Sequence, residues 1–376
     1  MRFRCPNCTC PNHSPDQAGN KWYYRHGWYS SCGRSWQRYR CRECGRTFSA
    51  RTFSLDYWTH YHLDYLSLAE LLCSGVSLRG LSRRFTASVK TIQNRFGRFA
   101  RSIIAVMCGV QDSIDLSEDL VTDGIENFCV SQDFPNNVHL LVGKDSQFTY
   151  GFNYALMRRK GKKTEEQKRR CEQLYPLVDF TRHPIKKMFA ELLEQLKRVH
   201  PAPKPDGPCT NLYTDEKGQY RFAIADDQEI LRRIARKTFA HITISSKARR
   251  TVRNNLFSVN YMDRELRKDL PEYHRETVCF ARNVCNALER LCVYLYHHNF
   301  IKLYRIGVSR ETRTHAEVAG VSKKERTRIR RDVVIERPFL SDGAVVADSF
   351  YDQLWRRTIL TPLKKGEEYL QQFALA

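Results

Sequence analysis

Four cysteines in two closely spaced pairs are the residues of this chain best suited to hold a metal ion. Cys5 and Cys8 form one Cys-x-x-Cys pair, and Cys41 and Cys44 form the second. Two intervening residues let both thiolates of a pair reach one zinc ion, and four such ligands leave no open position for a substrate. The pairs therefore predict a structural zinc site near the N-terminus, whereas buried thiol turns without metal are the alternative interpretation.

The segment between the two pairs is longer than the insert of a usual zinc ribbon, so we expect a longer hairpin or loop there. Further metal-ligating side chains lie close to the pairs and could replace a predicted ligand or bind a second ion. These side chains are Cys10, His13, His26 and Cys32.

Three aspartates in the central region are candidate ligands for magnesium. Asp123 interrupts the short apolar segment 120–125, Asp215 ends the segment 210–215, and Asp263 lies in a helical pattern. Magnesium takes few carboxylate ligands and keeps positions for water and phosphate, and two such ions can promote a displacement at phosphorus. The pattern alone is weak, because four other acidic residues compete with these three: Glu126, Glu216, Asp226 and Asp227.

The elements around these aspartates follow the order of an α/β domain. Apolar segments at 120–125, 138–143 and 148–156 predict three strands at hairpin spacing, and 210–215 predicts a fourth strand. Pro184 opens a helix between the third and fourth strands.

A buried helix is predicted after Asp269, which would cap it, with Pro271 early and Glu272 at capping-box distance. Its apolar residues recur at steps of three and four, as on one helix face. They are Val278, Ala281, Cys285, Leu288, Cys292 and Leu295.

Residues 63–104 predict three short helices, because leucines and aromatic residues recur there at steps of three and four. A tight turn containing Ser88 precedes the last helix, and this order describes a helix-turn-helix. Six polar residues of the last helix lie off its apolar stripe and suit contacts with DNA phosphates and base edges. They are Lys90, Thr91, Gln93, Asn94, Arg95 and Arg98. An ordinary helical hairpin with a polar outer face is the alternative.

The chain is strongly basic, with 63 Lys and Arg against 41 Asp and Glu among 376 residues. This net charge of +22 favours a polyanionic partner, and nucleic acid is a better candidate than a membrane surface. Residues 1–110 carry 17 basic and 5 acidic residues, so more than half of the excess lies in less than a third of the chain. A second basic cluster at 323–331 suggests a DNA path across the less basic centre.

The 14 cysteines could form disulfides, but no apolar signal segment follows Met1 and the paired spacing is typical of metal sites. We therefore expect a reducing, cytoplasmic compartment. The longest apolar run, around residues 103–110, is too short to span a bilayer.

Five segments, in order, resemble bacterial insertion-sequence transposases, and the closest group looks like that of insertion sequence one and its ribbon-bearing relatives. The likeness covers roughly residues 1–306. It is carried by residues 39–49 around Cys41 and Cys44, the helix-turn-helix at 75–101, Asn260-x-x-Asp263-Arg264, residues 275–283 and His298-Asn299-Phe300.

This resemblance implies a DDE-type transposase with an RNase H-like catalytic core. Such enzymes use two Mg²⁺ or Mn²⁺ ions to hydrolyse a phosphodiester at the element end, and the freed 3′-hydroxyl then attacks target DNA. By position Asp123 matches the family's first-strand aspartate and Asp215 its fourth-strand aspartate. Asp263 stands where the family usually has glutamate, so Glu265 is the fallback for the third ligand. Asn260, one turn before Asp263, would orient substrate or metal-bound water.

The same resemblance divides the chain into a zinc ribbon at 1–55, a helix-turn-helix domain at 56–110 and a catalytic domain at 115–306. The basic extension 307–376 would serve as a further DNA clamp or a subunit contact, or would be a solvated segment with a docking helix around Leu354. Acting on two element ends implies at least a homodimer on double-stranded DNA, in the bacterial cytoplasm and without a membrane.

Two other functions fit the same residues. A catalytically inactive copy could act as a DNA-binding regulator through its ribbon and helix-turn-helix, and the aspartate at 263 favours this alternative. A structure-selective nuclease with the same core would cut branched DNA without joining it.

Overall fold

The computed structural model describes residues 3–7, 9–13, 21–31, 33–111, 118–200, 209–274, 278–305, 307–308, 310–335 and 349–364. These residues form a mixed α/β structure with two β-sheets and several helices. No helix within these ranges is long and apolar enough to cross a membrane.

The first sheet is small and antiparallel. Its strands are β1 (Tyr23–Ser31), β2 (Arg34–Cys41) and β3 (Thr47–Phe48), in that spatial order. Most β1 side chains are exposed or half-buried, so this hairpin contributes little to a core. The small sheet instead has its own apolar cluster of six buried side chains: Cys5, Cys10, Trp22, Cys41, Phe48 and Phe53.

Three helices follow the small sheet, as the apolar spacing predicted, but the third has 23 residues and is longer than the short helix expected. They are α1 (Tyr65–Cys73), α2 (Leu78–Arg84) and α3 (Val89–Gln111). The Ser88 hydroxyl accepts a hydrogen bond from the Thr91 N–H at 3.1 Å, which is the predicted cap of the last helix.

The second sheet has five strands in the spatial order β6-β5-β4-β7-β8. These strands are β4 (Leu120–Phe128), β5 (Pro135–Gly143), β6 (Thr149–Leu156), β7 (Thr210–Thr214) and β8 (Phe239–Thr243). The first three pair antiparallel, whereas β7 runs parallel to β4 and β8 parallel to β7. All of β5 except Pro135 is buried, because helices cover both faces of the sheet centre.

Nine further helices complete the described chain. Between β6 and β8 lie α4 (Glu165–Leu174), α5 (Pro184–Val199), α6 (Gly218–Asp226) and α7 (Gln228–Ala235). After β8 lie α8 (Phe257–Asp269), α9 (Val284–Phe300), α10 (His315–Val318), α11 (Lys323–Ile335) and α12 (Ser349–Arg356).

The helix predicted from Asp269 begins later than expected. Asp269 ends α8, Pro271–Tyr273 is a single 3₁₀ turn, and α9 starts only at Val284 after the cap Asn283. Val278 lies outside the helix and is 89% exposed, so its place in the apolar stripe was wrong. Step spacing cannot distinguish a helix from the irregular segment that precedes it.

One continuous apolar core runs from Leu55 to Trp355 and joins α1–α3, the five-stranded sheet and α12. The helix α3 packs along α9, and both α11 and α12 contact α3. The boundary at residue 110 therefore does not separate two cores. The predicted docking helix around Leu354 is present as α12, whose Phe350, Tyr351, Leu354 and Trp355 are buried.

Candidate functional sites

Four cysteine thiols converge beside the small sheet. The sulfur atoms of Cys5, Cys10, Cys41 and Cys44 all lie within 4.8 Å of one another. The Cys5 and Cys44 sulfurs are 3.3 Å apart, and those of Cys10 and Cys41 are 3.8 Å apart. Zinc–sulfur bonds of about 2.3 Å in a tetrahedron place the sulfurs about 3.8 Å apart. The cluster could therefore bind a metal such as zinc.

The structure brings together three of the four predicted cysteine ligands, Cys5, Cys41 and Cys44. Cys10, which was an alternative ligand, completes the cluster, whereas Cys8 and Cys32 lie outside the described residues. His13 is bonded through Nδ1 to the Cys5 carbonyl at 2.7 Å, and His26 is exposed on β1.

The tight turn after β2 prepares one thiol of the cluster for deprotonation. Gly45 takes a positive φ of 70°, and its N–H bonds to the Cys41 carbonyl at 3.2 Å. Burial opposes ionisation of Cys44, but hydrogen bonds from the Arg46 backbone and the Cys5 thiol lower the pKa of Cys44 to about 7. A thiolate is the form that binds a metal ion.

Asp123 and Asp215 are neighbours at one end of the five-stranded sheet. In the parallel pair of β4 and β7, Val121 lies opposite Tyr213, and continuing this register by two residues places Asp123 opposite Asp215. The ammonium Nζ of Lys217 lies 3.5 Å from Asp123 Oδ1 and 3.3 Å from Asp215 Oδ2. Adjacent strands thus position both carboxylates around one cation.

The helix α8 adds Asp263 to this pair, since it packs across β4 and β5. Burial raises the pKa of Asp263 to about 7, and the charge of Asp123 adds to this rise. Burial and the charge of Asp215 likewise raise the pKa of Asp123, against the opposing charges of Lys217 and Arg250. Asp123 therefore repels both Asp215 and Asp263 across a shared site.

One oxygen of this site lacks a partner. Asp263 Oδ1 is buried and has no hydrogen-bond partner among the described residues. A buried carboxylate oxygen without a donor is unfavourable unless a cation or proton reaches it. Hard carboxylate oxygens from three elements are a donor set that suits a divalent cation such as Mg²⁺.

Two cations and a buried tyrosine support the site, and none of the three was among the predicted site residues. The Tyr220 hydroxyl lies 2.5 Å from His139 Nε2 and 3.4 Å from Lys217 Nζ, so it helps to position the Lys217 ammonium. Arg250 donates to Asn260 Oδ1 and lies 3.8 Å from Asp123 Oδ2. Of these three residues, only Lys217 could have been suspected from the sequence, because it is a cation two positions after Asp215, which ends an apolar segment.

Asn260 and Glu265 occupy different surroundings on α8. Asn260 holds Arg250 toward Asp123, as described above, and its amide donates to the Leu256 carbonyl at 2.8 Å. Glu265 instead pairs with Lys302 at 2.8 Å and Lys268 at 3.1 Å. Burial opposes ionisation of Glu265, but these two lysines hold its pKa below the usual range. The structure thus places Asp263, and not Glu265, beside Asp123.

Two of the competing carboxylates are engaged elsewhere. Asp227 caps α7 by accepting from the Glu229 and Ile230 N–H groups, and Asp226 forms an ion pair with Lys186.

We expect Asp263→Asn to stabilise the metal-free protein at neutral and alkaline pH. The pKa of about 7 lies above the usual 3.8, so the parent loses stability as the pH rises from about 4 to 7, while the amide does not ionise. The difference should approach about 4 kcal/mol at most above pH 7 and vanish near pH 4. Urea unfolding of both proteins at each pH measures it. If Asp263→Asn were less stable than the parent at pH 8, this would contradict the claim that burial of the ionised Asp263 carboxylate destabilises the fold.

Three of the six side chains predicted to face DNA are occupied inside the fold, which corrects their assignment. Arg98 is buried and donates to the carbonyls of Leu55 and Tyr57 at 2.9 and 2.7 Å. Arg95 is buried and donates to the Tyr61 carbonyl at 2.5 Å. These bonds hold the loop before α1 against α3.

Gln93 bonds to Glu289 and Arg290 of α9, at 3.2 and 2.5 Å. This part of α3 therefore faces α9, and helical spacing alone does not show that a second element covers a polar stripe. Lys90 and Asn94 remain exposed, and Thr91 is half-buried with its hydroxyl 2.9 Å from Ser88 Oγ.

Three exposed arginines that were not among the predicted DNA contacts lie on α2, which a short turn connects to α3 and its exposed Lys90. They are Arg79, Arg83 and Arg84. The sequence shows that this segment is basic, but only the tertiary structure shows that these arginines are exposed.

Arg98→Ala should destabilise the fold, whereas Lys90→Ala should change its stability little. Losing the buried guanidinium of Arg98 leaves two backbone carbonyls without their charged donor, so we expect a loss of about 2–4 kcal/mol in unfolding free energy. Exposed Lys90→Ala should change stability by less than about 0.5 kcal/mol. If α2 and α3 bind DNA, Lys90→Ala should instead reduce the salt dependence of binding by about one counterion. Urea unfolding and salt titrations of DNA binding measure both; an unaltered stability of Arg98→Ala would refute its structural role.

Neither a protein-family model nor a curated protein matches this sequence.

Proposed function

We propose that this chain is a DDE-type transposase that cleaves and transfers the ends of an insertion sequence. The observation that carries the proposal is the convergence of Asp123, Asp215 and Asp263 from β4, the end of β7 and α8. The repulsion of Asp123 with both Asp215 and Asp263 is costly without a counter-charge, and the cations of a phosphoryl-transfer site would supply that charge. The resemblance of the sequence to these transposases supports the same function.

The five-stranded sheet supports an RNase H-like core for this proposal. The first aspartate lies on its first strand and the second directly after its fourth strand, and these two strands are adjacent. The small sheet with its cysteine cluster would be the zinc ribbon, and α1–α3 the helix-turn-helix.

Asp123, Asp215 and Asp263 would hold two Mg²⁺ or Mn²⁺ ions. When bound, such ions activate the attacking oxygen and stabilise the leaving oxygen at a scissile phosphate. The charges of Lys217 and Arg250 meanwhile offset the repulsion between the aspartates. Asn260 orients Arg250 toward Asp123, where a guanidinium can bind a phosphate oxygen.

Double-stranded DNA would dock on the exposed cations of α2 and α3. These exposed cations are Arg79, Arg83, Arg84 and Lys90, and we term this set the α2–α3 basic face. On α11, Arg326 pairs with Glu317 and Arg328 with Glu325, so part of the C-terminal basic cluster is already neutralised. A homodimer would bring two such faces to the two ends of an element.

The test is cleavage of DNA that carries the sequences flanking the gene. We expect strand cleavage with Mg²⁺ or Mn²⁺, none with a chelator, and joining of the freed 3′ end to a second DNA. Binding without cleavage under all conditions would refute the transposase and leave a DNA-binding regulator. Cleavage of branched DNA without joining would indicate a nuclease on the same core.

A further inference from the structure

Trp58 is presented to solvent in the loop between the small sheet and α1. Its side chain is 67% exposed, and its backbone takes a positive φ of 55°. This left-handed conformation is unfavourable for a bulky residue, and strain of this kind concentrates where a protein binds a ligand. The ring meets the edge of Tyr57, with 6.1 Å between the ring centroids, but local backbone preference does not account for a large ring at this position.

Three buried arginines hold the loop in place. Arg98 donates to the Leu55 and Tyr57 carbonyls, Arg51 donates to the Thr59 carbonyl and Arg95 donates to the Tyr61 carbonyl. Charged donors to backbone carbonyls are strong hydrogen bonds, and they lie on both sides of Trp58 in the chain. The backbone that carries the ring is thus held in place before any partner arrives, which reduces the entropy cost of binding.

The same loop touches the α2–α3 basic face. The Tyr61 hydroxyl donates to the Phe85 carbonyl at 2.8 Å, in the turn that connects α2 to α3. Arg83, Arg84 and Lys90 flank this turn and are exposed. Asp56, two residues before Trp58, lies 2.5 Å from His62 Nδ1.

We propose that Trp58 stacks on an unpaired DNA base beside the duplex that the α2–α3 basic face binds. Every base offers an aromatic face, so stacking on a rigid indole needs no particular sequence. Cations on one side for phosphates and an aromatic ring on the other match the junction between a duplex and a single strand. The inference rests on DNA being the partner in the proposed function, but it does not depend on cleavage.

The experiment compares two DNA probes, a short blunt duplex and the same duplex with a single-stranded oligothymidine extension. The full-length protein carries Asp123→Asn so that binding alone is measured, by fluorescence anisotropy. We expect tighter binding to the extended probe and quenching of tryptophan fluorescence. Trp58→Gly should abolish this preference, a loss of about five- to hundred-fold in affinity for the extended probe. Affinity for the blunt duplex should stay unchanged.

Glycine is the informative substitution because it removes the ring and accepts the positive φ without strain. The thermal midpoint of Trp58→Gly should therefore equal or exceed that of the parent, which excludes misfolding as the cause of lost binding. Trp58→Phe should retain part of the preference. Trp28→Ala is the matched control, since Trp28 is 66% exposed on β1 but lies outside the loop held by the arginines. It should keep the full preference.

Three results would overturn the inference. The parent protein could bind both probes equally, or Trp58→Gly could keep the preference. Trp58→Gly could also weaken binding to both probes by the same factor, which would assign Trp58 to the duplex. If the protein binds neither probe, the proposed function itself is wrong. Binding to the blunt duplex therefore separates failure of the proposed function from failure of the role assigned to Trp58.

Discussion

Asp123→Asn and Asp215→Asn are each expected to abolish metal-dependent strand cleavage while leaving DNA binding intact. Each amide removes one negative charge from a site where Asp123 and Asp215 already share Lys217. Metal-assisted stabilisation of a phosphoryl-transfer transition state is worth several kcal/mol, so we expect a loss of about 10³-fold in cleavage rate. Single-turnover cleavage of labelled DNA measures the rate, and anisotropy with the same DNA measures binding.

Two further carboxylates on the same chain serve as controls for this prediction. Asp226→Asn removes an acid that pairs with Lys186, and it should leave cleavage unchanged. Glu265→Gln should also retain cleavage, because Glu265 faces Lys302 and Lys268, whereas Asp263→Asn should lose it. The reverse outcome, with Glu265 required and Asp263 dispensable, would show that α8 turns its other face to the site.

Removal of zinc is expected to unfold the small sheet without unfolding the rest of the chain. The cluster around this sheet buries only six side chains, including three of the cysteines, and is separate from the main core. Structural zinc sites contribute about 10–16 kcal/mol of apparent binding free energy, so a domain with so small a core should not survive without the metal. Limited proteolysis within residues 3–53 and zinc content by atomic absorption measure the loss.

The choice of cysteine substitutions makes the zinc prediction specific. Cys10→Ser and Cys41→Ser should each release zinc and expose the small sheet to protease, since both sulfurs belong to the cluster. Cys209→Ser, an exposed thiol outside the cluster, should keep one zinc per chain. Cys8→Ser should also keep it, because four other thiols already supply a complete tetrahedral set. Full zinc occupancy in Cys10→Ser would contradict the geometry of the cluster.

Local signals in the sequence determined much of this protein. Helical spacing located α1, α2 and the start of α3, and the cap at Ser88 is confirmed by its hydrogen bond. Close cysteine pairs predicted a metal site because its ligands are neighbours along the chain. Asp123 and Asp215 could be selected because each interrupts or ends an apolar strand segment.

Only the tertiary structure decided which side chains of these elements are free to act. Arg95 and Arg98 are of a residue type that commonly contacts DNA. They donate instead to loop carbonyls, because residues 55–61 fold back over α3. Likewise Asp263 and Glu265 lie two residues apart on one helix, and only packing of α8 on β4 directs Asp263 toward Asp123.

Contacts between segments distant in the chain place Cys10 in the thiol cluster. Such contacts also place Lys217 and Arg250 beside the carboxylates. Periodicity and spacing report what lies within a few residues along the chain, which covers helix caps, strand segments and paired ligands. The partner of a side chain across the fold depends on how whole elements pack, and that information is not local.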